Sequence, residues 1–316
     1  MTRLIFVEGF PGAGKSTTAQ FLARLLARRG QAARWVYEEE TPHPLVPSRP
    51  SHGYQSWEAF ADARVARWRA FAAAARDYEV TVIPESALLQ TPIATMLMRN
   101  AEPAVIEALV HRLVESAAPL SPSLVYLDRE DPEAAFRAIG ERRGMAWLLH
   151  HVQASAGFAF TQARRLSGLD GLLAYWRAHA ELCGAIVGRL DLPKLVLDGG
   201  PGGWAERRRR ICDFVGVPFE DDPVAVAADI ARVAGRYGDG KREATVEVVD
   251  GRLALRGILW FTSALLPVTR NVFDVESWPV RVIFEEDVAG SVHAFRCEGA
   301  CLAGGGPSGV FARLAA

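Results

Sequence analysis

The chain is short of cysteine, of net charge and of long apolar runs. Four cysteines in 316 residues are too few for a disulfide scaffold, and cytoplasmic residence follows as the expectation. Thirty-six Lys and Arg stand against 37 Asp and Glu, a net charge of −1. That balance leaves no electrostatic footprint for a general nucleic-acid binder. No apolar run approaches the roughly 18–20 residues of a membrane helix. The longest, Ile258 to Val268, is interrupted by Thr262, Ser263 and Pro267, so no membrane partner is expected. The N-terminus enters a strand-like run, Leu4-Ile5-Phe6-Val7, and turns glycine-rich at once, which fits no signal peptide. What is present is ordinary for a globular chain: 50% hydrophobic and 23% charged residues. The length is enough for about two domains.

Short apolar runs at 3–7, 33–37, 80–84, 123–127 and 194–197 lack clear alternation. Strands buried on both faces of a parallel sheet read this way. Between them lie helical stretches at 15–29, 56–78, 103–117 and 132–139, and a broad helical region from Trp147 to Leu190. The alternation predicts an α/β, three-layer fold on a parallel five-stranded sheet. A further helix is expected over Val224–Tyr237, and Gly238-Asp239-Gly240-Lys241 reads as a linker. Beyond it the chain is β-rich. Thr245–Val249 and Arg252–Leu255 flank Asp250-Gly251, a tight-hairpin pair, and Pro279–Glu285 and Ser291–Cys297 form a second pair. The expected division is therefore 1–238 and a small antiparallel β domain at 239–316.

Gly9-Phe10-Pro11-Gly12-Ala13-Gly14-Lys15-Ser16 satisfies G-x-x-x-x-G-K-[ST] at every fixed position, directly after a strand and before a helix. In this motif backbone N–H groups wrap a phosphate, so Gly12, Ala13, Gly14, Lys15, Ser16 and Thr17 are the expected nucleotide-binding residues. Lys15 would reach the β- and γ-phosphates, and the Ser16 hydroxyl would hold Mg²⁺. ATP and Mg²⁺ are the cofactors implied.

The run from Phe6 to Thr18, with Glu8-Gly9 before the loop and Ser16-Thr17 after the lysine, resembles the opening of thymidylate kinases and deoxynucleoside kinases. Two departures stand out. Pro11 occupies the place of an aspartate in thymidylate kinases, and Glu85-Ser86 lacks the intervening arginine of deoxynucleoside kinases. The resemblance implies a catalytic base just past the second strand, where Glu38-Glu39-Glu40 lies, and Glu38 is nearest the strand end. It also implies a lid of arginines after the fourth strand, matched by Arg137, Arg142 and Arg143. Arg142 and Arg143 sit between Gly140 and Gly144, which suits a mobile segment.

Acids at the carboxyl ends of the strands are the candidates for metal and proton chemistry. Glu85 ends the third strand and is the expected second Mg²⁺ group. Asp128, before Pro132, reads as part of a helix cap. His43, Tyr54, Trp57, Arg64 and Gln90 are the candidate acceptor-binding residues. Tyr54 and Trp57 could stack on a planar substrate, and Trp57 also fits the apolar face of a helix with Phe60 and Trp68. Arg207–Arg210 points around a whole helix and reads as mostly solvated. His293, Cys297 and Cys301 lack zinc spacing and a fourth ligand, and His150-His151 diverge on a helix.

These features predict an Mg·ATP-dependent small-molecule kinase whose acceptor is a hydroxyl or phosphate on a nucleoside-like or other polar metabolite or an antibiotic. A nucleotide-dependent regulator or chaperone with slow ATPase activity is the alternative. The β domain would shape the pocket or make a homodimer contact.

Overall fold

The computed structural model describes residues 3–47, 53–200, 202–303 and 305–315. Two compact units emerge: Met1–Glu38 with Pro42–Phe219, and Glu39–Thr41 with Glu220–Ala316.

The first unit runs β1 (Arg3–Gly9), α1 (Lys15–Arg28), β2 (Ala33–Val36), α2 (Trp57–Ala75), β3 (Thr81–Pro84), α3 (Gln90–Met98) and α4 (Pro103–Ala117). It continues through β4 (Pro122–Asp128), α5 (Pro132–Arg143), α6 (Met145–Ser155), α7 (Ala159–Ala163), α8 (Gly168–Arg189), β5 (Lys194–Asp198) and α9 (Trp204–Val215). The strands form one parallel sheet in the order β2-β3-β1-β4-β5. All five lie where the apolar runs place them. Helices cover both faces, so alternate residues of β1 enter different cores. Leu4 and Phe6 pack with Trp68, Ile93, Leu109 and Ile186. Ile5 and Val7 pack with Leu22, Phe136, Leu172 and Ile211. The broad helical region resolves into α6, α7 and α8, and α3 was not foreseen.

The second unit holds α10 (Ala227–Val233) and strands β6 (Gly235–Gly238), β7 (Glu243–Val249), β8 (Arg252–Arg256), β9 (Ser263–Pro267), β10 (Val272–Val275), β11 (Val280–Glu286), β12 (Val292–Gly299) and β13 (Gly309–Arg313). These close into an eight-stranded antiparallel barrel, β13 pairing with β6 and β9 with β10. Its interior is aromatic, with Tyr237, Phe273, Phe284, Phe295 and Phe311 buried. Asp250 and Gly251 take φ of 50° and 74°, the pair of positive angles that a two-residue hairpin demands.

Two sequence expectations change here. The helix expected over Val224–Tyr237 stops at Val233, and Tyr237 lies in β6. Gly235 breaks the helix, and the Tyr237 ring seats in the barrel core. Gly238–Lys241 is the β6–β7 turn, with Asp239 Oδ1 accepting from the N–H of Lys241 and Arg242. Gly-Asp-Gly-Lys serves a linker or a hairpin equally well, and the barrel strands on either side decide it. The barrel therefore begins before residue 239. Its unit also takes in residues 39–41, where Thr41 N–H donates to Cys301 O at 2.8 Å and Ala303 N–H to Glu39 O at 2.9 Å.

Candidate active site

The loop between β1 and α1 is built on glycines that nothing larger could replace. Gly9 has φ 148°, and a Cβ there would collide with the Leu127 carbonyl of β4. Gly12 (φ 75°) lies against the Ile139 side chain of α5, and Gly14 (φ 92°) against the Trp204 indole of α9. Gly14 is the N-cap of α1, whose first turn has no capping side chain and no acid. This leaves a helix start suited to an anion. Buried Lys15 donates from Nζ to the Phe10 carbonyl at 3.1 Å, and Ala13 N–H donates to the same oxygen.

Ser16 Oγ donates to Glu85 Oε1 at 3.0 Å. Glu85 is fully buried just after β3, and its Oε2 has no hydrogen-bond partner among the described residues. Burial pushes its pKa up to about 8, Lys15 opposing and nearby Glu38 adding to the rise. Glu38, half-buried in the turn after β2, accepts from Gln90 Nε2 at 2.9 and 3.2 Å and from Thr91 Oγ1 at 3.3 Å. Its own N–H reaches Glu85 Oε1 at 3.5 Å. The fold therefore brings Ser16, Glu85, Glu38 and Gln90 together, while Glu39 and Glu40 belong to the barrel unit. The Ser16 hydroxyl and the unpartnered Glu85 oxygen are hard oxygen donors, which fit Mg²⁺.

The other acceptor candidates take varied roles. Arg64 of α2 is buried, its Nε and Nη2 without a hydrogen-bond partner among the described residues and its guanidinium 5.4 Å from the Phe60 ring centroid. Desolvation lowers its pKa to about 10. His43 Nδ1 accepts from the N–H of Leu45 and Val46, each at 3.0 Å. Burial, with Arg64, Arg34 and Arg67 nearby, pushes His43 down to about 4. It is thus a neutral ring that clamps its own turn. Tyr54 and Trp57 pack edge-on against Phe60, each at 5.6 Å, and Arg99 lies over the Trp57 ring.

Arg137, Arg142 and Arg143 are exposed on α5. The expected mobile segment is the last turn of that helix. Gly140 is buried facing Leu148, and Gly144 (φ 92°) ends the helix. Asp131, not Asp128, caps α5 by accepting from Ala134 N–H at 2.9 Å. Asp128 instead accepts from Arg129 N–H.

Four contributors escaped the sequence reading. Thr91 holds Glu38. Trp204, 37% exposed, abuts Gly14. Arg207, taken as solvated, is buried and donates to the carbonyls of Asp198, Gly200 and Gly202 at 2.8, 2.6 and 2.6 Å, with its guanidinium 4.5 Å from the Trp204 ring centroid. The fourth is Glu8, wholly buried, which accepts from Leu88 N–H at 2.7 Å and Gln90 N–H at 3.1 Å. A lone carboxylate ending the apolar run Leu4-Ile5-Phe6-Val7 was the available signal.

A parallel five-stranded sheet carrying a phosphate loop between its central strand and the following helix defines a P-loop three-layer α/β fold. No family model and no curated protein matches the chain. Among solved structures it is similar to a sugar kinase from a Janibacter species, at 17% identity over 69% of this chain and 96% of that one, with a TM-score of 0.35. It is also similar to thymidylate kinase from Candida albicans, at 13% identity over 68% and 91%, TM-score 0.40. For deoxyadenosine kinase from M. mycoides the figures are 16% identity, 67% and 99%, and 0.36. The fold assignment rests on the chain's own sheet and loop. No helix among the described residues is long and apolar enough to cross a membrane.

Proposed function

We propose that the chain is an Mg·ATP-dependent phosphotransferase that phosphorylates a hydroxyl or phosphate oxygen of a small polar acceptor, nucleoside-like or another metabolite or antibiotic. The observation that carries this reading is the pair of acids at the loop. Glu85 is bound to Ser16, and Glu38 is aimed by Gln90 and Thr91 beside it. Slow hydrolysis needs the first acid, whereas transfer to an acceptor also benefits from the second.

Bound Mg·ATP would supply the phosphoryl group and neutralise its charge. The chain's own residues do the rest. Lys15 exchanges the Phe10 carbonyl for phosphate oxygens, and the N–H groups at the start of α1 hold the phosphates. Ser16 and Glu85 would hold the metal, with Glu85 giving up its proton to do so. Glu38 orients the acceptor and takes its proton. Arg137, Arg142 and Arg143 supply positive charge from α5, the helix whose Ile139 touches Gly12. Trp204, backed by Arg207, would offer an aromatic face to the nucleotide's adenine ring.

The test compares Glu38→Gln with Glu85→Gln by ADP release at rising Mg²⁺ or Mn²⁺. Partial recovery by metal is expected for Glu85→Gln alone. Recovery of Glu38→Gln alone would reverse the roles, and full activity in both variants would overturn the reading.

A further inference from the structure

We infer that Glu8 is a positioning residue for the reaction, acting through the start of α3 to hold Gln90, and through Gln90 the acid Glu38, in register with the phosphate loop. The inference takes the role of Glu38 from the phosphotransferase reading; the geometry of the relay is independent of it.

Alternation along β1 sends Leu4, Phe6 and Glu8 to the face covered by α2, α3 and α4. Glu8 is thus a carboxylate in an apolar layer, at 0% exposure. Such a group is costly unless its oxygens are satisfied. They are satisfied separately, Oε1 by Leu88 N–H and Oε2 by Gln90 N–H. The start of α3 needs this, because Leu89 at its N-cap makes no side-chain capping bond. Glu8 is therefore a cap reaching across from another element. The preceding turn is docked to the same strand end, Ser86 N–H donating to Val7 O at 3.2 Å with Ser86 at φ 59°.

Gln90 is where the cap meets the chemistry. Its backbone N–H binds Glu8, and its side-chain Nε2 binds both oxygens of Glu38. The amide cannot be turned over, since that would set its oxygen against a carboxylate. His179 Nε2 lies 3.3 Å from the Gln90 carbonyl, holding the residue from α8 as well. Glu8 also adjoins Gly9, the first loop residue. One side chain therefore references the acceptor acid to the strand that carries the phosphates. A small misplacement of a reacting group costs rate steeply.

The experiment is a double-mutant cycle of Glu8→Gln and Gln90→Ala in the full chain, labelled with [δ-¹³C]glutamate. The Glu38 resonance is assigned from Glu38→Gln. The quantity read is the Glu38 carboxyl shift, which needs neither acceptor nor turnover. Glu8→Gln is expected to move the Glu38 resonance, because the Gln90 amide that binds Glu38 shifts with the start of α3. Once residue 90 is alanine, adding Glu8→Gln should leave that resonance where it is. ATP affinity should stay within about twofold throughout, a split that general unfolding would not produce. An unmoved Glu38 resonance in Glu8→Gln, or an undiminished shift when Glu8→Gln is added to Gln90→Ala, would overturn the relay and leave Glu8 as a cap only. If Glu8→Gln does not fold, Glu8→Asp reads the same cycle with its charge kept and its reach one methylene shorter. The resonance decides the relay by itself, and the phosphotransferase reading stands or falls separately on acceptor-dependent turnover.

Discussion

Ser16 Oγ donates to Glu85 Oε1 at 3.0 Å, joining the residue after the phosphate-loop lysine to the acid that ends β3. The second Glu85 oxygen is buried without a partner among the described residues. Half of this carboxyl group is thus engaged and half is in reserve, which is what a cation-binding acid needs before its cation arrives.

That arrangement has a pH signature in the metal-free protein. Burial raises Glu85 from 4.5 to about 8, so the folded state holds a proton that the unfolded state loses near 4.5. Stability therefore falls as pH climbs from about 4.5 and levels off above about 8. Glu8, raised by burial to about 7, adds a fall of the same sign. Glu85→Gln should flatten part of the decline, measured as Tm from pH 5 to 9 in chelator. Mg²⁺ should recover stability above pH 8 in the wild type but not in Glu85→Gln. Parallel curves for the two proteins would remove Glu85 from this role.

Glu38→Gln should bind Mg·ATP with near-normal affinity and lose acceptor-dependent turnover by about 10²- to 10⁴-fold, the range for a positioned base. Calorimetry with a non-hydrolysable ATP analogue, beside product formation, separates the two effects. Loss of nucleotide affinity equal to the loss of turnover would place Glu38 with the nucleotide and not the acceptor.

The legibility of this protein divides by the range of the interactions involved. The five parallel strands and the phosphate loop were plain because their signals are local: apolar runs, and a motif contained within Gly9–Ser16. Glu38, Glu85 and Gln90 could be chosen because chain position after a strand implies placement at the sheet's carboxyl edge. Their mutual hydrogen bonds span 47 and 52 residues, and the Ser16–Glu85 bond 69, and none leaves a local trace. Arg207 was misread for the same reason. Four successive arginines look solvated, and only the Asp198–Gly202 carbonyls show why the first of them is buried. The barrel start was misplaced because glycine and aspartate mark a turn without saying what it joins.

Arg207→Met keeps the volume of the side chain and removes its donors. Three part-buried carbonyls then lose a charged partner, and stability should drop by ~1–3 kcal/mol. Urea unfolding should show a lower midpoint at unchanged slope. A shift under ~1 kcal/mol would mean the carbonyls find other partners and Arg207 is not the keystone of that loop.

A fragment ending at Phe219 should stay soluble and bind ATP, because both apolar clusters on the sheet lie within residues 4–219. Cooperative thermal unfolding of the fragment is the expected result. Aggregation would show that residues 220–316 complete its core.

The most direct measurement is a screen of metabolites and antibiotics for acceptor-dependent ADP release, with the phosphorylated product identified by mass spectrometry, in wild type and Lys15→Met. Lys15 is buried at the loop, where its Nζ donates to the Phe10 carbonyl, so replacing it should spare the fold. The account predicts a product with the wild type and a loss on the order of 10²-fold or more in Lys15→Met. ADP release that persists undiminished in Lys15→Met, or that no acceptor ever stimulates, would contradict it.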